Sequence, residues 1–228
     1  MHELLKQKVL ESNLALVKHE LVIFTWGNAS ERDPETGHIV IKPSGVPYDE
    51  MSADQMVVLD AEGKQIEGDL RPSSDAPTHV ILYKHFQHIG GVVHTHSEWA
   101  TSWAQSGKSL PPYGTTHADY FHGAVPCTRP LTREEIEGNY EAATGEVIVE
   151  TFHKLDYRSM PGVLVRGHAP FTWGKDGMEA VHHSVVLEEV AKMAFRTEVL
   201  GNHSPVSQTL LDKHYLRKHG KDSYYGQK

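Results

Sequence analysis

His94 and His96 flank a single threonine, directly behind the apolar run Gly90-Gly91-Val92-Val93. On an extended strand, residues two apart project to the same side, so both imidazoles would point together while Thr95 points away. Two neutral imidazoles side by side suit a divalent transition metal. The same spacing also serves two histidines that are simply hydrogen-bonded near a strand end. His168 is the best candidate for a third ligand: it follows the apolar run Val163-Leu164-Val165 and precedes the rigid Ala169-Pro170. Asp75, after Ser73-Ser74, could supply an oxygen ligand or could cap the helix opened by Asp75-Ala76-Pro77. Three imidazoles with at most one carboxylate would leave room for a substrate oxygen, the pattern of a catalytic site rather than a closed structural one. The chain has 17 His but one Cys, Cys127, so neither a cysteine-built zinc site nor an internal disulfide framework can form.

The elements that must position these residues read as mixed α and β. Leu4, Leu5, Val9, Leu10, Asn13, Leu14 and Leu16 recur at helical spacing and predict a helix over 2–18. Short β-type runs follow at Leu21–Thr25 and His38–Ile41, separated by the turn Asp33-Pro34-Glu35-Thr36-Gly37. Ser52 with Gln55 forms a capping-box signature ahead of a strand over Met56–Leu59. A helix opens at Asp75, and Gly90–His96 reads as a buried strand. Thr132 and Glu135 cap a helix running to about Ala143, with strands expected at Val147–Phe152 and Gly162–Val165. A long helix spans about Met178 to Val199, and the tail beyond Gly201 is polar and basic. The expected architecture is α/β, a sheet between helical layers. With no repeat and no Ser/Gly-rich linker, one domain over 1–228 is the simplest organisation.

Composition narrows the function. With 22 Lys+Arg against 30 Asp+Glu the formal net charge is −8, which excludes a broad nucleic-acid-binding surface. A hydrophobic content of 39% with 23% charged residues is that of an ordinary globular protein. The N-terminus Met1-His2-Glu3-Leu4-Leu5-Lys6 carries no signal-peptide run, and no later stretch could span a bilayer, so a reduced cytoplasm is expected.

Several longer motifs carry a family resemblance. Trp26-Gly27-Asn28-Ala29-Ser30, Ile41-Lys42-Pro43-Ser44-Gly45, Pro72-Ser73-Ser74-Asp75-Ala76-Pro77-Thr78-His79, His94-Thr95-His96, Gly114-Thr115-Thr116-His117-Ala118-Asp119-Tyr120 and the ending Lys213–His219 with Tyr224-Tyr225-Gly226 occur in this order. Together they resemble the sugar-phosphate epimerases of the class II aldolase/epimerase family. The resemblance runs from the first helix to the last few residues. It implies a three-layer α/β/α fold with a central, largely antiparallel sheet, and a homotetramer in which the tail, about 203–228, reaches an active site between neighbours. It further implies a zinc ion held by His94, His96 and His168 with Asp75, for which manganese or cobalt could substitute.

The reaction so implied inverts C4 of a ketopentose 5-phosphate, which is not adjacent to the carbonyl. Cleavage and re-formation of the C3–C4 bond would achieve it, with Asp119 and Tyr225 as proton carriers on the two faces of the aldehyde. A tyrosine, with a reference pKa of about 10, serves more readily as the acid. His214 and Arg217, three apart, could bring positive charge beside Tyr225. Gly27, Asn28, Lys42, Ser44, Gly45, Ser73 and Ser74 would bind the substrate and its phosphate, because small or hydroxylated turn residues let backbone amides converge on an anion. Thr115 and Glu141 are weaker supporting candidates. The rivals are a fuculose-phosphate-type aldolase, in which a glutamate tends to stand where this chain has Asp75, and a non-catalytic scaffold like the adducin head domain.

Overall fold

The computed structural model describes residues 2–201 and 203–224. Val9, Ser12, Asn13 and Leu16 recur at three- and four-residue spacing and turn one side of helix α1 (Glu3–Lys18) inward. Strands β1 (Asn28–Arg32), β2 (Ile39–Ile41), β3 (Val57–Leu59) and β4 (Gln65–Glu67) follow. Helix α2 (Ala76–His85) leads into β5 (Gly91–His94), then α3 (Glu98–Ser106), the single turn α4 (Thr115–Ala118), α5 (Arg133–Glu137) and α6 (Tyr140–Thr151). The hairpin β6 (Gly162–Leu164) and β7 (Pro170–Gly174) precedes the long α7 (Gly177–Leu200), and α8 (Gln208–His219) closes the described chain.

Among the described residues, seven strands join one sheet in the order β4-β3-β2-β1-β5-β7-β6, and every neighbouring pair is antiparallel. Alternation along the strands divides the core between two faces. Ile39, Ile41, Val57, Leu59 and Val92 pack with Val80, Leu82 and Tyr83 of α2 and Ile148 of α6. Their neighbours Val40 and Val58 meet Val9 of α1, while Ala29 and Val93 meet Leu16 of α1 and Ala180 and Val181 of α7. Helices therefore cover both faces, as the layered α/β reading requires. No helix among the described residues is long and apolar enough to cross a membrane.

Four local expectations are corrected. Leu21–Thr25 is not a strand: Phe24 takes a left-handed φ of 55°, which breaks any extended run, and the first strand begins at Asn28. Val147–Thr151 is the last part of α6, with Phe152 at its C-terminal cap, and Val147 and Ile148 are buried as helix residues rather than paired in a strand. The helix capped by Thr132 and Glu135 ends at Glu137, and after Gly138 a new cap forms where the Asn139 side chain accepts from the Ala142 amide at 3.3 Å. The strand carrying His94 ends there, so His96 lies beyond it, on the approach to α3. The polar tail also holds a helix, α8, whose cap is Ser207 accepting from the Leu210 amide.

Candidate metal centre and active site

Three neighbouring strands set the first ligand. His94 is the direct cross-strand partner of Asn28 on β1 and of Phe171 on β7. Its Nδ1 lies 3.0 Å from the Pro170 carbonyl. That carbonyl can only accept, so Nδ1 carries the proton and the Nε2 lone pair is left free. Phe171 stacks on the ring at 4.2 Å and 17°, which holds its plane. His168 comes from the turn between β6 and β7, and its ring centroid is 4.8 Å from that of His94 and 5.1 Å from that of His96. One ring nitrogen from each of the three lies within 4.8 Å of the others. Burial pushes all three imidazoles down, His168 to about 4, so each is neutral with a lone pair to give at neutral pH. The donor set fits a borderline divalent cation.

Asp75 stands on the wall of the same cavity, at the N-terminus of α2. Its side chain makes no capping bond to the helix. Instead it accepts from Asn28 Nδ2 at 2.7 Å. Burial works to raise this carboxyl, but its electrostatic interactions with the His94 and His79 rings and the Asn28 bond outweigh it and hold the group below the ordinary aspartate value. Asn28 Nδ2 also donates to Ser73 Oγ at 3.0 Å, while the buried Asn28 Oδ1 has no partner among the described residues. The cavity thus presents the Asp75 carboxylate and a further unsatisfied acceptor beside three imidazole donors.

A further part of the wall is built from two loops bonded to each other. The Ser44 amide donates to the Arg71 carbonyl and the Ser73 amide to the Lys42 carbonyl, each at 2.9 Å. Those two amides are therefore spent, and the anion-binding groups left are the Ser44, Ser73 and Ser74 hydroxyls, the Gly45 and Ser74 amides and Lys42. Lys42 is 2% exposed, with Nζ 3.3 Å from the Pro43 carbonyl and 5.0 Å above the Tyr48 ring. Burial lowers its pKa and the Asp75 charge opposes that shift. A buried ammonium with one carbonyl partner wants an anion.

Gly27 closes this region. Its φ of +82° is costly for any other residue, and a Cβ there would sit 2.7 Å from Val22 Cγ1 and 2.9 Å from the His94 carbonyl. The Tyr48 hydroxyl, 3.1 and 2.9 Å from the Trp26 and Gly27 carbonyls, secures the loop. The resulting cavity, about 590 Å³, is lined by Gly27, Asn28, Lys42, Ser44, Gly45, Ser73, Ser74, Asp75, His94, His96, Glu141 and His168. Thr25, Trp26 and Tyr140 also line it and were missed by sequence reasoning. Trp26 lay within a recognised motif, and Tyr140 sits beside Glu141, but neither type has a metal- or phosphate-binding signature.

Among the described residues, Asp119, His214 and Arg217 form a second cluster that does not line this cavity. Asp119, at the C-terminal end of α4, accepts from His214 Nδ1 at 2.9 Å and from Arg217 Nη2 at 3.0 Å. Lys218 Nζ is 3.3 Å from its other oxygen. Burial favours a protonated Asp119, but the His214 and Arg217 bonds and the Lys218 charge win, holding the carboxyl below its usual value. Thr115 begins the same short helix. Tyr225 lies outside the described residues.

The chain is 53% identical over 225 residues to L-ribulose-5-phosphate 4-epimerase UlaF of Salmonella paratyphi C (strain RKS4594), covering 98% of this chain and 99% of that protein. UlaF of Salmonella choleraesuis (strain SC-B67) matches at the same identity and coverage. Among solved structures, an L-fuculose 1-phosphate aldolase superposes with a TM-score of 0.78 at 23% identity, covering 92% of this chain and 93% of that one. The fold is thus that of the class II aldolases. The model for the class II aldolase and adducin N-terminal domain matches residues 7–195. With most of its length inside that match, the chain belongs to the class II aldolase and adducin N-terminal domain family.

Proposed function

We propose that the chain is an isomerase of sugar metabolism that interconverts L-ribulose 5-phosphate and D-xylulose 5-phosphate. One observation carries this reading: three neutral imidazoles, a charged Asp75 and a buried Lys42 with serine hydroxyls line one cavity, in a chain that shares 53% identity with 4-epimerases over nearly its full length. A cavity of about 590 Å³ is ample for a five-carbon sugar phosphate.

His94, His96 and His168, with Asp75 beside them, would hold zinc, or manganese or cobalt in its place. A cation there supplies Lewis-acid stabilisation of the negative charge that develops when the C3–C4 bond breaks. Lys42, Ser44, Gly45, Ser73 and Ser74 bind the phosphate, whose charge at neutral pH is about −1.5 to −2. The local ammonium and hydroxyls offset the unfavourable global charge of −8. Asn28 Oδ1 and Glu141 are placed to accept from sugar hydroxyls.

The epimerisation needs a base to take the C4 hydroxyl proton as C3–C4 cleaves to an enediolate and glycolaldehyde phosphate. The aldehyde then turns its other face, C3–C4 re-forms, and an acid returns a proton to the new C4 alkoxide. Asp119, kept ionised by His214, Arg217 and Lys218, suits the base, and Tyr225 suits the acid. Because Asp119 lies off the histidine cavity within one chain, the two groups meet when a second copy brings its α4–α8 face and its tail across the opening. The reading takes the chain as one domain over 1–228 in a homotetramer with shared sites, working in the cytoplasm. Incubation with L-ribulose 5-phosphate tests the reading: D-xylulose 5-phosphate should form, and accumulation of glycolaldehyde phosphate would make the chain an aldolase instead.

A further inference from the structure

We propose that Tyr140 is a positioning residue for His168, and through it for the metal centre; this rests on the reading of His94, His96 and His168 as metal ligands. The phenolic oxygen of Tyr140 lies 3.4 Å from His168 Nδ1, and the two ring centroids are 6.0 Å apart. With Nδ1 directed at that oxygen, Nε2 is the nitrogen left to face His94 and His96. A metal-binding histidine depends on such a partner to fix its tautomer and ring orientation.

The three imidazoles differ in what holds them. His94 sits at the end of a central strand, with its Nδ1 on a backbone carbonyl and its ring stacked on Phe171. His168 has no strand behind it: it lies in a turn next to Gly167, whose φ is +72°. Phe171 of β7 meets its ring edge-on at 6.3 Å, and Tyr140 supplies a hydrogen-bonding side chain from another element.

Tyr140 is itself anchored at the first position of α6. Its carbonyl accepts from Thr144 Oγ1 at 2.9 Å, and the carbonyl of the next residue, Glu141, accepts from Thr78 Oγ1 at 2.6 Å. Thr78 belongs to α2, the helix that starts beside Asp75. At Gly145 a Cβ would fall 2.8 Å from Ile81 Cβ, so α6 and α2 approach closely. Tyr140 thus ties the ligand carried on a turn to the helix pair that presents Asp75. The hydroxyl fixes the ring of His168, and the ring of Tyr140 forms part of the cavity wall.

The test is Tyr140→Phe in the full-length protein, which removes the hydroxyl and keeps the ring. Zinc affinity, measured by competition with a chromophoric chelator, should fall about 10- to 100-fold, the range for removing a group that orients a metal ligand. Two controls should not move: the unfolding midpoint of the metal-free variant, and the affinity of the metal-free protein for inorganic phosphate, which reads the Lys42 and serine wall. Unchanged zinc affinity in the variant would overturn the assignment, as would an equal loss of zinc and phosphate binding, which would indicate general loosening. A wild-type chain that binds no zinc at all would instead bring down the metal reading beneath it, a result visible before the variant is made.

Discussion

Asn28 donates to Asp75 at 2.7 Å while sitting directly across the sheet from His94. One residue on β1 thereby sets the spacing between the carboxylate at the start of α2 and an imidazole on β5. Asn28 is in turn fixed by its neighbour: the side chain of Asn13 in α1 bonds both the amide and the carbonyl of Ala29, at 2.9 and 3.1 Å. Replacing Asn28 with Ala removes two bonds to the buried Asp75–Ser73 edge, one of them charge-assisted. A loss of about 1.5–3 kcal/mol in stability or metal affinity is expected. Asn28→Asp should be worse for activity, since it sets a second carboxylate against Asp75. Chemical denaturation together with metal titration checks both variants; wild-type values in Asn28→Ala would show that Asp75 is held by something else.

Lys42 is the buried cation of the phosphate wall. Lys42→Met keeps the stem and removes the charge, so it should raise KM for the sugar phosphate by about 10- to 100-fold, the worth of one charge-assisted bond. The effect on kcat should be smaller. Steady-state kinetics separates the two, and an unchanged KM would place the phosphate elsewhere in the cavity.

Asp119→Asn and Tyr225→Phe should each lower kcat by about 10²-fold or more, as loss of a general acid or base does. Removing the residues after Gly220 should be equally damaging, with little change in the unfolding midpoint, because Ser223 and Tyr224 touch the body mainly through local turn bonds. Near-native turnover in these variants would reassign the proton carriers.

Acid should destabilise the metal-free protein over a defined window. Burial depresses the imidazoles of His168 and His117 to about 4 in the folded chain, against about 6.5 when unfolded. Below about 6.5 the unfolded chain therefore takes up protons that the folded chain refuses, and stability falls until the pH reaches the folded values. Each such imidazole contributes a slope of up to about 1.4 kcal/mol per pH unit within that window. Urea midpoints recorded between pH 7 and pH 4 should decline accordingly, and His117→Gln should flatten the decline. A level profile would contradict the burial of these rings.

The layered fold and most of the cavity could be read from the chain because their signals are local. Helical spacing gave α1 and α7, apolar runs located β3, β5 and β6, and the His94-Thr95-His96 spacing survived even though the strand stops at His94. Strand β1 was missed because Asn28, Ser30 and Glu31 look polar, and they are buried through side-chain bonds that exist only once α1, α2 and α7 have packed. Val147–Phe152 misled because an apolar run of β-branched residues buries equally well on a helix. The contact of Tyr140 with His168 joins residues 28 positions apart. No spacing rule reaches across such a gap. The spent amides of Ser44 and Ser73 were also invisible, since they depend on two loops meeting side by side.

The most direct test follows L-ribulose 5-phosphate by NMR with the zinc-loaded protein and with the protein stripped by a chelator. The loaded protein should convert it to an equilibrium mixture with D-xylulose 5-phosphate without releasing glycolaldehyde phosphate, and the stripped protein should regain this conversion when zinc is restored. Conversion by the stripped protein at the full rate, or net release of glycolaldehyde phosphate, would contradict a metal-centred 4-epimerase.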